Sequence, residues 1–220
     1  MDIKRVTLFA GHYGSGKTNI AVNWAKYLKK SGKSVSIVDL DIVNPYFRTK
    51  DSERDLKECG INLICSEYAN TNLDIPALPK EIYGAVADKS THLVMDIGGD
   101  DTGAVALGRY APAITEENSY NMLYVANCYR PLSKTPEDTL EIMREIEISS
   151  SIPFTAIVNN SNLGIQTDIK TILDSLEYAN KLSEMSGLPI YMTTVENSLY
   201  DSLKSKVKNL FPITIQKNKY

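Results

Sequence analysis

The run Gly11-His12-Tyr13-Gly14-Ser15-Gly16-Lys17-Thr18 satisfies every fixed position of the pattern G-x-x-x-x-G-K-[ST]. The chemistry it offers is phosphate binding. A polyphosphate is held by backbone N–H groups that wrap around it, and Gly11, Gly14 and Gly16 remove the Cβ atoms that would keep the backbone at a distance. His12, Tyr13 and Ser15 complete the loop. Lys17 can carry an ammonium to the outer phosphates, and Thr18 can offer its hydroxyl to a bridging Mg²⁺. A helix leaving at Gly16 adds its positive end. The ligand these residues point to is a nucleotide.

A phosphate loop needs carboxylates to hold metal and position water. Val35-Ser36-Ile37-Val38-Asp39-Leu40-Asp41 ends an apolar run in two of them, and strand alternation puts Asp39 and Asp41 on one face. His92-Leu93-Val94-Met95-Asp96-Ile97-Gly98-Gly99 ends another in D-x-G-G. Asp96 would hold a metal-bound water, and Gly99 would present its N–H to a γ-phosphate and move when that group leaves. Ala156-Ile157-Val158-Asn159-Asn160-Ser161-Asn162 closes a third run with amides suited to a base edge. A guanine site would want N-K-x-D there. Asn160 and Asn162 stand at the Lys and Asp positions, which favours adenine.

These groups require strands that stop at a common edge. Strand-like apolar runs occur at 6–10, 35–40, 93–97, 122–126, 154–158 and 190–195, with a weaker one at 61–65. Most are unbroken rather than alternating, as befits strands covered on both faces. Between them lie helical patterns: Ile20, Ala21, Trp24 and Leu28 after the loop; Leu140, Met143 and Ile146 after a Thr135-Pro136-Glu137-Asp138 start; Ile169 to Leu182, closed by Gly187. The order predicts an α/β protein, a three-layer α/β/α sandwich around a mainly parallel sheet, with residues 1–220 forming a single nucleotide-binding domain.

Composition narrows the partners. A net charge of −3 gives no global attraction to nucleic acid or to an anionic membrane. Lys204, Lys206 and Lys208, among Leu203, Val207, Leu210 and Phe211, predict a final helix packed on the domain, ended by Pro212, rather than a membrane-surface helix. Three cysteines without C-x-x-C spacing indicate reduced thiols. With no signal peptide and no apolar run near ~18 residues, a cytoplasmic location is expected.

On Gly11–Thr18, Asp39-Leu40-Asp41, Asp96–Gly99 and Asn159, the chain resembles the MinD/ParA-like (SIMIBI) class of P-loop NTPases. The resemblance implies an Mg²⁺-dependent ATPase switch coupled to a protein partner, often a nucleotide-dependent homodimer. On it, Lys17 contacts the β- and γ-phosphates, Thr18 and Asp96 serve Mg²⁺, Asp39 supports the metal site, Asp41 orients the attacking water and Asn159 contacts adenine. Members with K-G-G-x-G-K-[ST] send the first lysine to the partner's phosphates. Here that position is His12, and Arg48 is the alternative cation. No arginine finger in cis is evident, so slow intrinsic turnover is expected. Other readings on the same fold are a GTPase like those that insert nickel, a non-hydrolysing nucleotide-binding module, and a small-molecule kinase or ligase with an acceptor pocket at Asn44–Arg48.

Overall fold

The structure, a computed structural model, describes residues 1–41, 49–65, 80–99 and 101–216. Within these residues, eight strands form one all-parallel sheet: β1 (Val6–Ala10), β2 (Val35–Leu40), β3 (Asn62–Cys65), β4 (His92–Ile97), β5 (Tyr120–Ala126), β6 (Ala156–Asn159), β7 (Ile190–Glu196) and β8 (Leu210–Ile213). The spatial order is β3-β2-β4-β1-β5-β6-β7-β8. Among the described residues, eight helices accompany them: α1 (Lys17–Lys30), α2 (Glu53–Glu58), α3 (Glu81–Ala87), α4 (Asp101–Gly108), α5 (Ala111–Glu117), α6 (Pro136–Ser150), α7 (Ile169–Ser186) and α8 (Asn197–Leu203). Among the described residues, no helix is long and apolar enough to cross a membrane.

Both faces of the inner strands β1, β2, β4, β5 and β6 are buried, which is why those strands read as continuous apolar runs. Val6, Leu8 and Ala10 of β1 pack with Leu93, Met95, Met122 and Tyr124, beneath Ile82, Leu107, Ile114, Met143 and Leu182 of the helices. The alternate residues, Phe9, Val35, Ile37, Val94 and Leu123, meet Ile20, Trp24 and Leu28 of α1 on the other face. Trp24 also donates its indole N–H to Thr7 Oγ1 at 3.2 Å, tying α1 to β1. Both side chains are buried, so this bond fixes the strand and the helix that flank the phosphate loop.

Because β1 lies between β4 and β5, the chain crosses to opposite sides of it. That switch point opens a crevice at the carboxyl end of β1, where the loop sits.

The predicted start of α6 and the predicted end of α7 hold. Thr135 accepts from the Asp138 N–H at the head of α6, and Gly187 (φ 72°) closes α7. The last segment departs from expectation. The helix ends at Leu203; Lys204, Lys206 and Lys208 lie in exposed turns; and Leu210–Ile213 is a strand. Pro212 sits within β8, which among the described residues pairs with β7 alone, so the missing N–H breaks no second ladder there.

Candidate functional site

The loop leaves β1 and turns into α1 through Gly11, Gly14 and Gly16, all at positive φ. At Gly16, φ is 91°, and an added Cβ would overlap the side-chain amide nitrogen of Asn160, so both conformation and space demand glycine. The Ser15 N–H donates to the His12 carbonyl at 3.2 Å, forming the turn of the loop. Lys17 is buried and lays its ammonium on the same carbonyl at 3.2 Å. Tyr13 and Gly14 face solvent, and His12 is half-buried with its Nδ1 3.0 Å from the Tyr13 carbonyl. The Ser15 hydroxyl is buried in this loop without a hydrogen-bond partner among the described residues.

The carboxylates converge as alternation demands. Asp39 and Asp96 are register partners on β2 and β4, on the face that carries α1. Asp39 Oδ1 accepts from the Asp41 N–H at 3.0 Å. Asp96 is fully buried. One of its oxygens accepts from Thr49 Oγ1 at 2.9 Å, and the other, Oδ1, has no hydrogen-bond partner among the described residues. Burial pushes the Asp96 carboxyl up; the Thr18 hydroxyl and the Lys17 ammonium pull it back, while Asp41 raises it further. A buried carboxylate with an open oxygen beside a threonine hydroxyl is a suitable oxygen donor set for Mg²⁺, which takes few protein ligands and completes its shell with phosphate and water.

Gly99 closes over the loop. A Cβ there would stand 2.7 Å from the Tyr13 backbone nitrogen and 2.8 Å from Lys17 Nζ. The structure therefore brings Gly99, Tyr13, Lys17, Thr18, Asp41 and Asp96 into one neighbourhood.

Behind the loop, buried amides join three strand ends. Asn159 donates to Ser175 Oγ at 2.9 Å and accepts from the Ser161 N–H at 3.2 Å, so its side chain braces the turn that follows β6. Asn160 reaches the phosphate loop instead, donating to the Ser15 carbonyl at 2.6 Å and accepting from the Thr194 hydroxyl. Asn162 turns inward: it donates to the Asn160 carbonyl at 2.7 Å and accepts from the Gly164 N–H at 3.1 Å.

Sequence reasoning missed Asn160 as a partner of the loop and Thr49 as a partner of Asp96. Both act across elements, and neither has a fixed spacing from the motif it supports. Asn44 and Arg48 lie outside the described residues.

The comparisons agree with this geometry. Residues 6–187 match the model of the CobQ/CobB/MinD/ParA nucleotide binding domain. No curated protein sequence matches the chain significantly. Among solved structures, the fold is similar to cell division protein FtsY from Thermotoga maritima (TM-score 0.58, 17% identity, 86% of this chain and 61% of that one). It is also similar to FtsY from Mycoplasma mycoides (0.57, 18%, 89% and 62%) and to signal recognition particle 54 kDa protein from Aeropyrum pernix in complex with GDP (0.54, 16%, 87% and 41%). The chain thus spans about three fifths of the two FtsY chains. With the loop, its carboxylates and the parallel sheet in place, the match over 6–187 makes the chain a member of the CobQ/CobB/MinD/ParA nucleotide-binding domain family, within the SIMIBI class of P-loop NTPases.

Proposed function

We propose that this protein is an Mg²⁺-dependent ATPase, a single cytoplasmic domain whose conformation is set by its nucleotide and read by a protein partner, with a nucleotide-dependent homodimer as one form of that reading. The observation that carries the proposal is the approach of Gly99 to Tyr13 and Lys17, which puts a strand-end backbone where an outer phosphate would be sensed. Loss of that phosphate removes its anchor.

Thr18 and Asp96 would hold the metal, with Asp39 supporting them, and Mg²⁺ bound there would neutralise phosphate charge. Asp41 orients a water in line with the γ-phosphorus. As the water oxygen bonds to phosphorus and passes its proton to the departing inorganic phosphate, the bond to the bridging oxygen breaks, and the Lys17 ammonium and the loop amides of residues 11–16 stabilise the charge left on the diphosphate. Asn159 acts on the base through the turn it braces.

Adenine is supported by the local use of Asn162, whose side chain is committed to its own turn, in a loop without the aspartate that a guanine edge would want. The second reading is a guanine nucleotide, favoured by the likeness to the 54 kDa protein, whose structure holds GDP. Calorimetric titration of wild type and Lys17→Ala with Mg·ATP and Mg·GTP separates them. Tighter binding of Mg·ATP, lost in the variant, is expected; tighter Mg·GTP would move the reading to a GTPase.

A further inference from the structure

Arg130 follows β5, the strand beside the phosphate loop. Its backbone is pinned on both sides: its N–H donates to the Asn127 carbonyl at 3.1 Å, and its own carbonyl accepts from the Ser133 N–H at 3.2 Å. Asn127 is fully buried and ties this turn to the next strand end, accepting from the N–H groups of Tyr129 at 3.1 Å and Asn162 at 3.3 Å. The long side chain therefore starts from a fixed point and lies along the loop. A Cβ added to Gly14 would find Arg130 Nε at 3.7 Å, Cζ at 3.8 Å and Cδ at 3.9 Å. Among the described residues, the exposed guanidinium has neither an ion pair nor a hydrogen bond.

A guanidinium packed on a glycine loop, without a carboxylate to neutralise it among the described residues, adds local positive potential to a chain of net charge −3. Its five fixed donors suit phosphate oxygens. We propose that Arg130 is a phosphate-binding cation of this site, supplied in cis from the end of β5. This inference rests on the nucleotide reading. It gives the loop a second cation besides Lys17, one that stands on the solvent side of Gly14 and closes on the outer phosphates of a bound triphosphate.

The test measures dissociation constants for fluorescent Mg·ATP and Mg·ADP analogues at low and moderate salt. It uses wild type, Arg130→Ala, Arg130→Lys and Lys17→Ala, with melting temperatures alongside. Losing charge-assisted bonds predicts ATP binding about ten- to a hundredfold weaker in Arg130→Ala, with a smaller loss for ADP. It also predicts a shallower salt dependence, partial recovery in Arg130→Lys and unchanged melting of the ligand-free protein. Wild-type affinities in Arg130→Ala, beside lost binding in Lys17→Ala, would overturn the role of Arg130 alone. Equal weakening in Arg130→Ala and Arg130→Lys with lowered melting would also overturn it, since packing rather than charge would then be responsible. A wild type that binds no better than Lys17→Ala would overturn the nucleotide reading itself.

Discussion

Asn160 donates its side-chain amide to the carbonyl of Ser15 at 2.6 Å across 145 positions of sequence, and with its oxygen it holds the Thr194 hydroxyl. One residue thereby fixes the phosphate loop to the ends of β6 and β7. Replacing it with alanine leaves a buried carbonyl and a buried hydroxyl without these partners, at a cost of roughly 1–3 kcal/mol. Asn160→Ala should melt at a lower temperature and bind nucleotide more weakly, both visible in thermal melts with and without Mg·ATP. Unchanged melts would mean that the loop holds its shape alone.

Gly99→Ala tests the contact above the loop. The new methyl would meet the Tyr13 nitrogen at 2.7 Å, a backbone atom that cannot swing away as the Lys17 ammonium can. Overpacking of this kind costs roughly 1–3 kcal/mol. The fold should survive, while the affinity for a triphosphate falls more than that for a diphosphate, as competition titrations would reveal.

Asp96→Asn should separate stability from metal use. The carboxylate is buried and its charged form is disfavoured, so the neutral amide should stabilise the ligand-free protein by roughly 1 kcal/mol. The same change removes the anionic oxygen available to Mg²⁺. Wild-type nucleotide affinity should therefore rise on adding Mg²⁺ and the variant's should not, a difference that titrations with and without EDTA would measure.

A pH effect is expected far from the site. Arg5 is buried and binds both carboxylate oxygens of Glu117, while its guanidinium also donates to the Val86 and Asp88 carbonyls at 2.9 Å. The Arg5 hydrogen bonds, aided by Lys89, hold the Glu117 carboxyl down at about 2, against an ordinary 4.5. A depressed carboxyl stabilises the fold above its ordinary value, and that contribution fades as pH falls from about 4.5 toward about 2. Melting temperatures from pH 7 to 3 should fall more steeply for wild type than for Glu117→Gln. Parallel curves would show that the pair contributes no pH-dependent stability.

Of the eight strands among the described residues, β1, β2, β4, β5, β6 and β7 are legible in the sequence because burial on both faces writes them as apolar runs, and the half-buried edge strand β3 leaves only a weaker one. The eighth is not. Leu203, Val207, Leu210 and Phe211 mimic helical spacing, and Pro212 imitates a stop, whereas an edge strand tolerates a proline. At the site, Lys17, Thr18 and Asp96 stand out because their chemistry is encoded in contiguous motifs, and the shared face of Asp39 and Asp96 follows from strand alternation. Thr49, Asn160 and Arg130 do not stand out. Each reaches its partner through the sheet order, which sets β2 beside β4 for Thr49 and brings β5, then β6, to the other side of β1 for Arg130 and Asn160, and no local pattern reports those approaches.

Phosphate release from Mg·ATP and Mg·GTP, followed for wild type and Lys17→Ala purified in parallel, tests the central claim most directly. The account predicts slow release from ATP that exceeds release from GTP and disappears in Lys17→Ala. Release that is the same in the variant, or release from GTP that outpaces ATP, would contradict it.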